Sequence, residues 1–493
     1  MDLRHHMFVL GALIAATAAT MLIPFIVDVA MGSPAWWVFL LSAAIAAFAG
    51  TLLMIASTER IPTLNLRQAL VMTVLIWICV PVAGTLPFLV APLEVSLAGA
   101  FFEAMSGITT TGSTVLVGLD QIQPGILLWR AMLQWFGGVG IVVMALSVLP
   151  ALQVGGMQLF RTEAFGQSEK KMLPRAGEIA QAVLSVYGIM TVLGFILLLL
   201  AGMGPLDAVA HAMTAIATGG YSTHDTSIGY YGSVQVDMAV ILLMLAGSVP
   251  FWALYRLRNG DAQGLVNDSQ VRLFFYILLA IIAIMVFSLV QRDVLPLNQA
   301  LRDASFNLVS IMTGTGFSTT NYEDWGVFAG LLVFLVMFIG GCAGSTTCGI
   351  KVFRFQVLFG QCLVQLRTML QPSGVFKLTF HGKTVSEAAV ASVITFFVLF
   401  VATTFILAVI LGLVEPRFDL SGAVVSAATS VANVGPALGG LLLADGSTAS
   451  VGPAGTFAAV NDAAKFSMAL GMLLGRLELL TVIALFLPSL WQN

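Results

Sequence analysis

Four short runs of threonine and glycine carry residue types suited to handling a bare cation. They are Thr109-Thr110-Thr111-Gly112-Ser113-Thr114, Thr218-Gly219-Gly220-Tyr221-Ser222-Thr223, Thr313-Gly314-Thr315-Gly316-Phe317-Ser318-Thr319 and Ala432-Asn433-Val434-Gly435-Pro436. Each places one glycine at an equivalent point, Gly112, Gly220, Gly316 and Gly435. A dehydrated monovalent cation needs a ring of oxygens in place of its water, and backbone carbonyls from four loops around one axis supply such a ring. Glycine adopts positive φ freely, which lets successive carbonyls point the same way. The residues that would present oxygens are Thr110, Thr111 and Gly112; Thr218, Gly219 and Gly220; Gly314, Thr315 and Gly316; and Asn433, Val434 and Gly435. The hydroxyls of Thr110, Thr218 and Thr313 are placed to cap the inner end. One such triplet is a weak signal, and glycine is common here for helix packing too. Four of them, each after a half-length apolar stretch and between two full spans, form a pattern that packing alone rarely produces.

Other chemistries find little support. Intramembrane catalysis would require paired carboxylates or a His/Ser/Asp cluster within the spans, and none is visible, so the chain does not read as an enzyme. Cys79, Cys342, Cys348 and Cys362 lie in apolar or glycine-rich stretches without a CxxC pair or disulfide framework. His211, His224 and His381 have no metal-ligand spacing. Neither a dinucleotide fingerprint nor a P-loop is present. No cofactor is expected, and the cation itself is the substrate. A net charge of −3 does not suggest nucleic acid as a partner.

The elements that must position these turns are membrane helices. Of 493 residues, 59% are hydrophobic and 9% charged, against about 25% charged in a typical soluble domain. Lipid must solvate much of the surface. A helical span takes about 20 mostly apolar residues. Residues 1–68 hold two leading spans, the first too long for a cleaved signal segment. Four units follow, at 69–180, 181–270, 271–384 and 385–493. Each has a long span, a stretch too short to cross, a polar segment with acids, and another long span. The short stretches, such as Glu94–Gly107, Pro205–Ala217 and Leu297–Met312, fit half-membrane helices that enter and return. Non-helical backbone at that depth persists only where it lines a cavity or is buried in protein. The expected fold is therefore all-α, two leading helices plus four helix–pore-helix–helix repeats around a central pore. Each pore helix would direct its partly negative C-terminus at the filter.

Orientation follows from lysine and arginine. With the N-terminus inside, most of the 21 basic residues fall on inner segments. Outer segments hold acids, among them Glu94, Glu103, Asp120, Asp207, Asp225 and Asp237. Arg130 reads as interfacial. In the third repeat the second span is interrupted by a glycine-rich run, 340–349, whose Gly340, Gly341, Gly344, Ser345, Thr346 and Gly349 break the helix. This is either a loop that blocks the inner pore and moves, or a kink that fits neighbouring helices. Lys351, which ends it, is expected to snorkel to the inner surface. Arg476 lies within the last span, where a charge faces a cavity or a partner. Lys465 and Asp462 read as a local ion pair.

These residues resemble the superfamily of potassium transporters that includes TrkH/TrkG, KtrB and the plant HKT proteins. The resemblance spans nearly the whole chain, and the two leading spans look like the TrkH/TrkG branch. It rests on the four turns, on Gly340-Gly341-Cys342-Ala343-Gly344-Ser345-Thr346, on Ala432-Asn433-Val434-Gly435-Pro436 and on Gly475-Arg476-Leu477-Glu478. It implies that Gly112, Gly220, Gly316 and Gly435 are selectivity glycines favouring potassium, that the 340–349 loop is a gate, and that Arg476 faces the pore. It further implies a homodimer in the bacterial inner membrane with a cytosolic, nucleotide-binding TrkA-like ring docked on inner segments such as 151–180, 258–270 and 351–384. The rival class is a cation-coupled symporter with alternating access, which usually shows two repeats rather than four. Three positions depart from the pattern: Asn433 and Val434 in the fourth turn, and Cys348 where glycine or serine is expected.

Overall fold

In the structure, a computed structural model, residues 4–57, 66–147, 172–380, 383–443, 445–453 and 455–488 are described. The basic residues Arg60, Arg161, Lys170 and Lys171, together with His381, lie outside these residues.

Seven helices among the described residues are long and apolar enough to cross a membrane. The leading pair is α1 (Arg4–Ala30) and α2 (Trp37–Ile55). They touch backbone to backbone, since a Cβ at Gly11 would lie 2.6 Å from Gly50 O. Small residues at a crossing allow such close approach in lipid, where apolar burial gives little drive between helices. The pair joins the rest of the molecule through Asp28, whose Oδ1 accepts the Gly125 amide at 2.7 Å.

The first repeat comprises α3 (Arg67–Val90), the pore helix α4 (Leu97–Ile108) and α5 (Pro124–Ser147). The second comprises α6 (Met172–Leu200), the pore helix α7 (Pro205–Ile216), α8 (Val234–Ser248) and α9 (Phe251–Arg258). The third comprises α10 (Ser269–Gln291), the pore helix α11 (Leu297–Met312), α12 (Val327–Val336) and α13 (Val352–Leu370). The fourth comprises α14 (Glu387–Val414), the pore helix α15 (Leu420–Ala432), α16 (Asp462–Arg476) and α17 (Leu480–Ile483). This is a multi-pass all-α membrane fold.

The pore helices have 12 to 16 residues. At about 1.5 Å per residue a 12-residue helix covers about 18 Å, half to two-thirds of the hydrocarbon thickness. Local signals start them: Ser96 Oγ accepts the Gly99 amide at 3.1 Å, and Asp419 caps α15 through Gly422 N. Their C-terminal turns are buried, so the carbonyls left over at those ends face protein interior rather than lipid.

The second spans differ from the expected straight helices. Besides the break in repeat three, α8 and α9 meet at 103° at Val249-Pro250, and α16 bends by the same angle into Leu480–Phe486. Proline lacks the N–H that continues a helix, which accounts for the first bend. At the second, Glu478 and Leu479 both take positive φ, 58° and 48°. Outside the fourth filter, β3 (Gly440–Leu442) and β4 (Thr448–Ser450) pair antiparallel, Gly440 opposite Ser450, and form an outer hairpin. A small inner hairpin pairs β1 (Thr379–Phe380) with β2 (Lys383–Thr384).

Candidate functional site

The four turns meet. Each selectivity-type glycine is seated against the carbonyl of the next repeat. An added Cβ would collide with Gly219 O at Gly112, with Thr315 O at Gly220 and with Val434 O at Gly316. At Gly435 it would meet Thr111 O, which returns to the first repeat. The glycines are therefore required twice, once for space and once for backbone hand. Their φ values are 87°, 77°, 87° and 110°.

Two residues before each glycine a second left-handed residue appears. It is Thr110 (φ 53°), Thr218 (50°), Gly314 (68°) and Asn433 (52°). Left-handed and ordinary residues thus alternate through each turn, which removes the pleat and brings successive carbonyls to one side. For threonine that conformation costs about 1–2 kcal/mol, whereas asparagine visits it readily. The sequence marks these four as residues that present oxygens, but it does not signal their left-handed conformation, because three of the four are not glycine. The second left-handed position also corrects one register. Thr313 is equivalent to Thr109, not to Thr110 and Thr218, and its hydroxyl bonds Thr315 Oγ1 at 2.7 Å behind the turn, as Thr109 bonds Thr111 at 2.8 Å.

Side chains brace the ring from behind. Ser113 Oγ donates to Gly435 O at 2.7 Å and joins repeats one and four. Asn433 Nδ2 donates to Thr111 Oγ1 at 2.8 Å and to Met472 O at 2.9 Å. Arg130 and Glu103 are buried there as an ion pair at 2.8 Å. The arginine also donates to Ser222 O at 2.8 Å and Thr114 Oγ1 at 3.1 Å, and lies 4.1 Å from the Tyr221 ring centre. Glu103 accepts the Val115 amide at 2.9 Å. Reading Arg130 as interfacial and Glu103 as an outer-loop acid is therefore corrected. The two are 27 residues apart on different helices, and only their apolar setting hinted that each needs the other. Gln134, not singled out in the sequence, bonds Gly219 O at 2.6 Å and the Tyr221 amide at 3.0 Å. His211 is buried on α7, bonded to Asp207 O at 2.8 Å and Ser222 Oγ at 2.9 Å.

On the outer side, His224 connects the segments following the first two turns. Its ring nitrogens meet Asp120 and Asp207, the latter at 3.4 Å, and its face stacks on Tyr230 at 3.5 Å. Asp120, outside the spans, has its carboxyl held below the usual range by the His224 hydrogen bond.

Below the ring lies the glycine-rich segment. The helix ends at Val336, so the non-helical stretch Met337–Lys351 is longer than 340–349. It is closed by a bridge between Ile339 and Ile350. Gly344 and Gly349 take positive φ, 74° and 70°. The bend between α8 and α9 holds it: Cys342 N donates to Ser248 O at 3.0 Å, and Thr346 Oγ1 to Ile216 O and Gly247 O, both at 2.9 Å. Ser345 Oγ bonds Cys342 O at 2.6 Å. Its upper surface touches the left-handed filter residues, with Thr346 Oγ1 3.3 Å from Thr218 Oγ1 and Cys348 Sγ 3.5 Å from Thr110 Oγ1.

Lys351 does not snorkel. Its ammonium folds back onto Thr347 O, Thr347 Oγ1 (3.0 Å) and Ser345 Oγ (3.5 Å), and the residue is buried. Carbonyl and hydroxyl oxygens within the loop replace the water it would otherwise seek. Arg476 is buried against the same loop, donating to Thr346 O at 3.3 Å, to Cys348 Sγ, and to Gly137 O on α5 at 3.4 Å. Thr347, Cys348, Lys351, Asn433, Arg476 and Glu478 are among the residues that line a small cavity beside the loop. Glu478 pairs instead with buried Arg354. Lys465 lies 3.9 Å from Asp462 and donates to Ala458 O at 3.0 Å.

A multi-pass helical protein in which four half-helices converge on one ring of backbone is, by class, a membrane transport protein rather than an enzyme. The chain belongs to the TrkH family of cation transport proteins, whose model matches residues 37–493. It is 41% identical over 488 residues to the Trk system potassium uptake protein TrkI of Halomonas elongata, covering 98% of this chain and 96% of that one. It is 34% identical to Trk system potassium uptake protein TrkH of Vibrio parahaemolyticus, with both chains covered completely. The crystal structure of the potassium transporter TrkH from Vibrio parahaemolyticus superposes with a TM-score of 0.90 at 32% identity, again over all of both chains.

Proposed function

We propose that this chain takes up potassium across the bacterial inner membrane as the channel-like, ion-conducting subunit of a Trk-type system, with its N-terminus in the cytoplasm. The observation that carries the reading is the closed ring in which each of four glycines abuts the carbonyl of the next repeat. In it, the carbonyls of the four turns replace the hydration shell of potassium, and the alternating backbone hand aims them at the axis. All four key positions are glycine, which favours potassium. Relatives bearing the name Trk system potassium uptake protein support the substrate.

In the same reading Met337–Lys351 is the gate. It fills the space under the filter, and Arg476 holds it while placing a positive charge on the ion's route. Such a charge repels a cation until the loop moves. Control comes from a cytosolic nucleotide-binding ring of the TrkA type on a homodimer, since the chain has no nucleotide motif of its own. Docking falls on 258–270 and 351–384; most of 151–180 lies outside the described residues. Co-purification without such a partner, and flux indifferent to nucleotide, would remove that part.

The test of the filter is growth rescue of a potassium-uptake-deficient bacterium by this chain and by Gly316→Ser. A side chain there would collide with Val434 O and meet Pro436 Cδ at 2.8 Å. Rescue should weaken at low potassium, and discrimination against sodium should fall. Unchanged uptake and selectivity would reject the filter assignment.

A further inference from the structure

The four filter turns do not have the same residue at their middle position. It is Thr111, Gly219, Thr315 and Val434, so repeat two alone has no side chain there. In repeats one and three the threonine hydroxyl engages its neighbour behind the turn, Thr109 or Thr313. In repeat two that space is occupied by a side chain from another repeat. A Cβ at Gly219 would collide with the amide carbon and oxygen of Gln134 and would lie 2.9 Å from its nitrogen. Nothing but Gln134 stands among the three nearest atoms at that point. The amide is buried and its two ends are both used: Nε2 donates to Gly219 O at 2.6 Å, and Oε1 accepts the Tyr221 amide at 3.0 Å. These two bonds flank Gly220 on both sides. Among the described residues, Gly219 O is also the one carbonyl of the four middle positions that accepts a hydrogen bond.

We infer that Gln134 is a specificity-determining positioning residue, which supplies from α5 the side chain that Gly219 lacks and holds the second filter turn in its ion-selective conformation. This rests on the filter reading above. A carbonyl shared with an amide donor presents less free electron density to an ion and is less able to turn. The middle layer of the ring thereby has one carbonyl tied to a side chain and three without such a tie, and the tied one sets the aperture for the others. Gln134 itself touches no ion; it acts through Gly219 and Tyr221.

The contact geometry gives a reciprocal test. Gly219 has ordinary backbone hand, absent from the positive-φ positions among the described residues, so a threonine is conformationally allowed. Gln134→Ala should lower the potassium-over-sodium uptake ratio about five-fold, the worth of one net hydrogen bond. Gly219→Thr alone should be at least as damaging, because its Cβ strikes the glutamine. The double variant should recover part of the selectivity lost in Gly219→Thr, since the collision is relieved and the threonine fills the space; Ala217 stands where Thr109 and Thr313 supply the hydroxyl's partner in repeats one and three. Uptake ratios would be measured in proteoliposomes with purified full-length protein that elutes monodisperse, beside Gly316→Ser. If Gly316→Ser changes the ratio and Gln134→Ala does not, the inference is overturned while the filter stands. The inference is also overturned if the double variant is as poor as the sum of the single ones. If Gly316→Ser leaves the ratio unchanged, the filter reading itself fails.

Discussion

The filter ring and the intramembrane loop beneath it are both irregular backbone held at membrane depth, yet the balance of backbone and side-chain restraint differs between them. The ring is built from four repeated turns, and its closest contacts are backbone against backbone, with strain stored in Thr110 and Thr218. The loop occurs once, in the third repeat, and beside backbone bonds such as Cys342 N to Ser248 O it is tied by the side chains of Thr346, Lys351 and Arg476. Backbone interlock leaves few alternative states. Side-chain ties can break and re-form singly, at about 1 kcal/mol for a neutral bond and about 1.5–3 for a charged one. The difference separates a part suited to constant geometry from a part suited to two positions.

Substitutions that strike the support of the ring should be the most costly. Glu103→Gln leaves the buried guanidinium of Arg130 without its carboxylate and should destabilise the protein by about 3–5 kcal/mol. Thermal unfolding in detergent measures this, and a melting temperature equal to wild type would show that the pair does not carry the ring. Next comes Gly220→Ala, where left-handed strain and collision with Thr315 O together should cost up to about 3 kcal/mol. It should abolish discrimination between potassium and sodium in flux assays while the protein remains folded. Retained selectivity would mean that the interlock is dispensable.

On the loop side, Lys351→Met removes a charged tie of about 1.5–2 kcal/mol and should raise basal potassium flux without nucleotide, with the selectivity ratio unchanged. A drop in selectivity instead would show that loop and ring are one mechanical unit. The smallest effect concerns Asp120. Its carboxyl is lowered in the fold, so its contribution to stability is complete above the unfolded value of about 3.9. That contribution is lost as pH falls below this toward the folded value. Wild type should therefore lose melting temperature on acidification below about pH 4 more steeply than Asp120→Asn. The carboxyl is 44% exposed, so solvent screening keeps the difference small.

What the sequence made legible were features with a period or a forbidden setting. Four glycines after half-length helices located the ring, the glycine-dense run located the break in repeat three, and an arginine inside an apolar span marked Arg476. Partnerships between distant residues had no such signal. Glu103 and Arg130 looked like loop and interface charges, because nothing in spacing says that two helices will bring them within 2.8 Å. Lys351 was misread since snorkelling is the usual outcome for a lysine near a span end, and local oxygens overrode it. The left-handed conformations of Thr110, Thr218 and Asn433 were invisible for a different reason. Closure of the ring imposes them on Thr110 and Thr218 against residue preference, whereas Asn433 ends its pore helix in a conformation asparagine accepts.

The seating of Gly435 against Thr111 O has one last implication. Because the circuit of contacts returns to its start, no filter segment is terminal, and each is at once a lodger in one neighbour and a host to another. An insertion of one methyl group anywhere on the circle is passed on to a segment in the next repeat, and from Gly435 it passes back to Thr111 in the first. The four repeats are free to drift apart in their outer loops and lipid-facing surfaces, but at this circle each is answerable to the next for its shape.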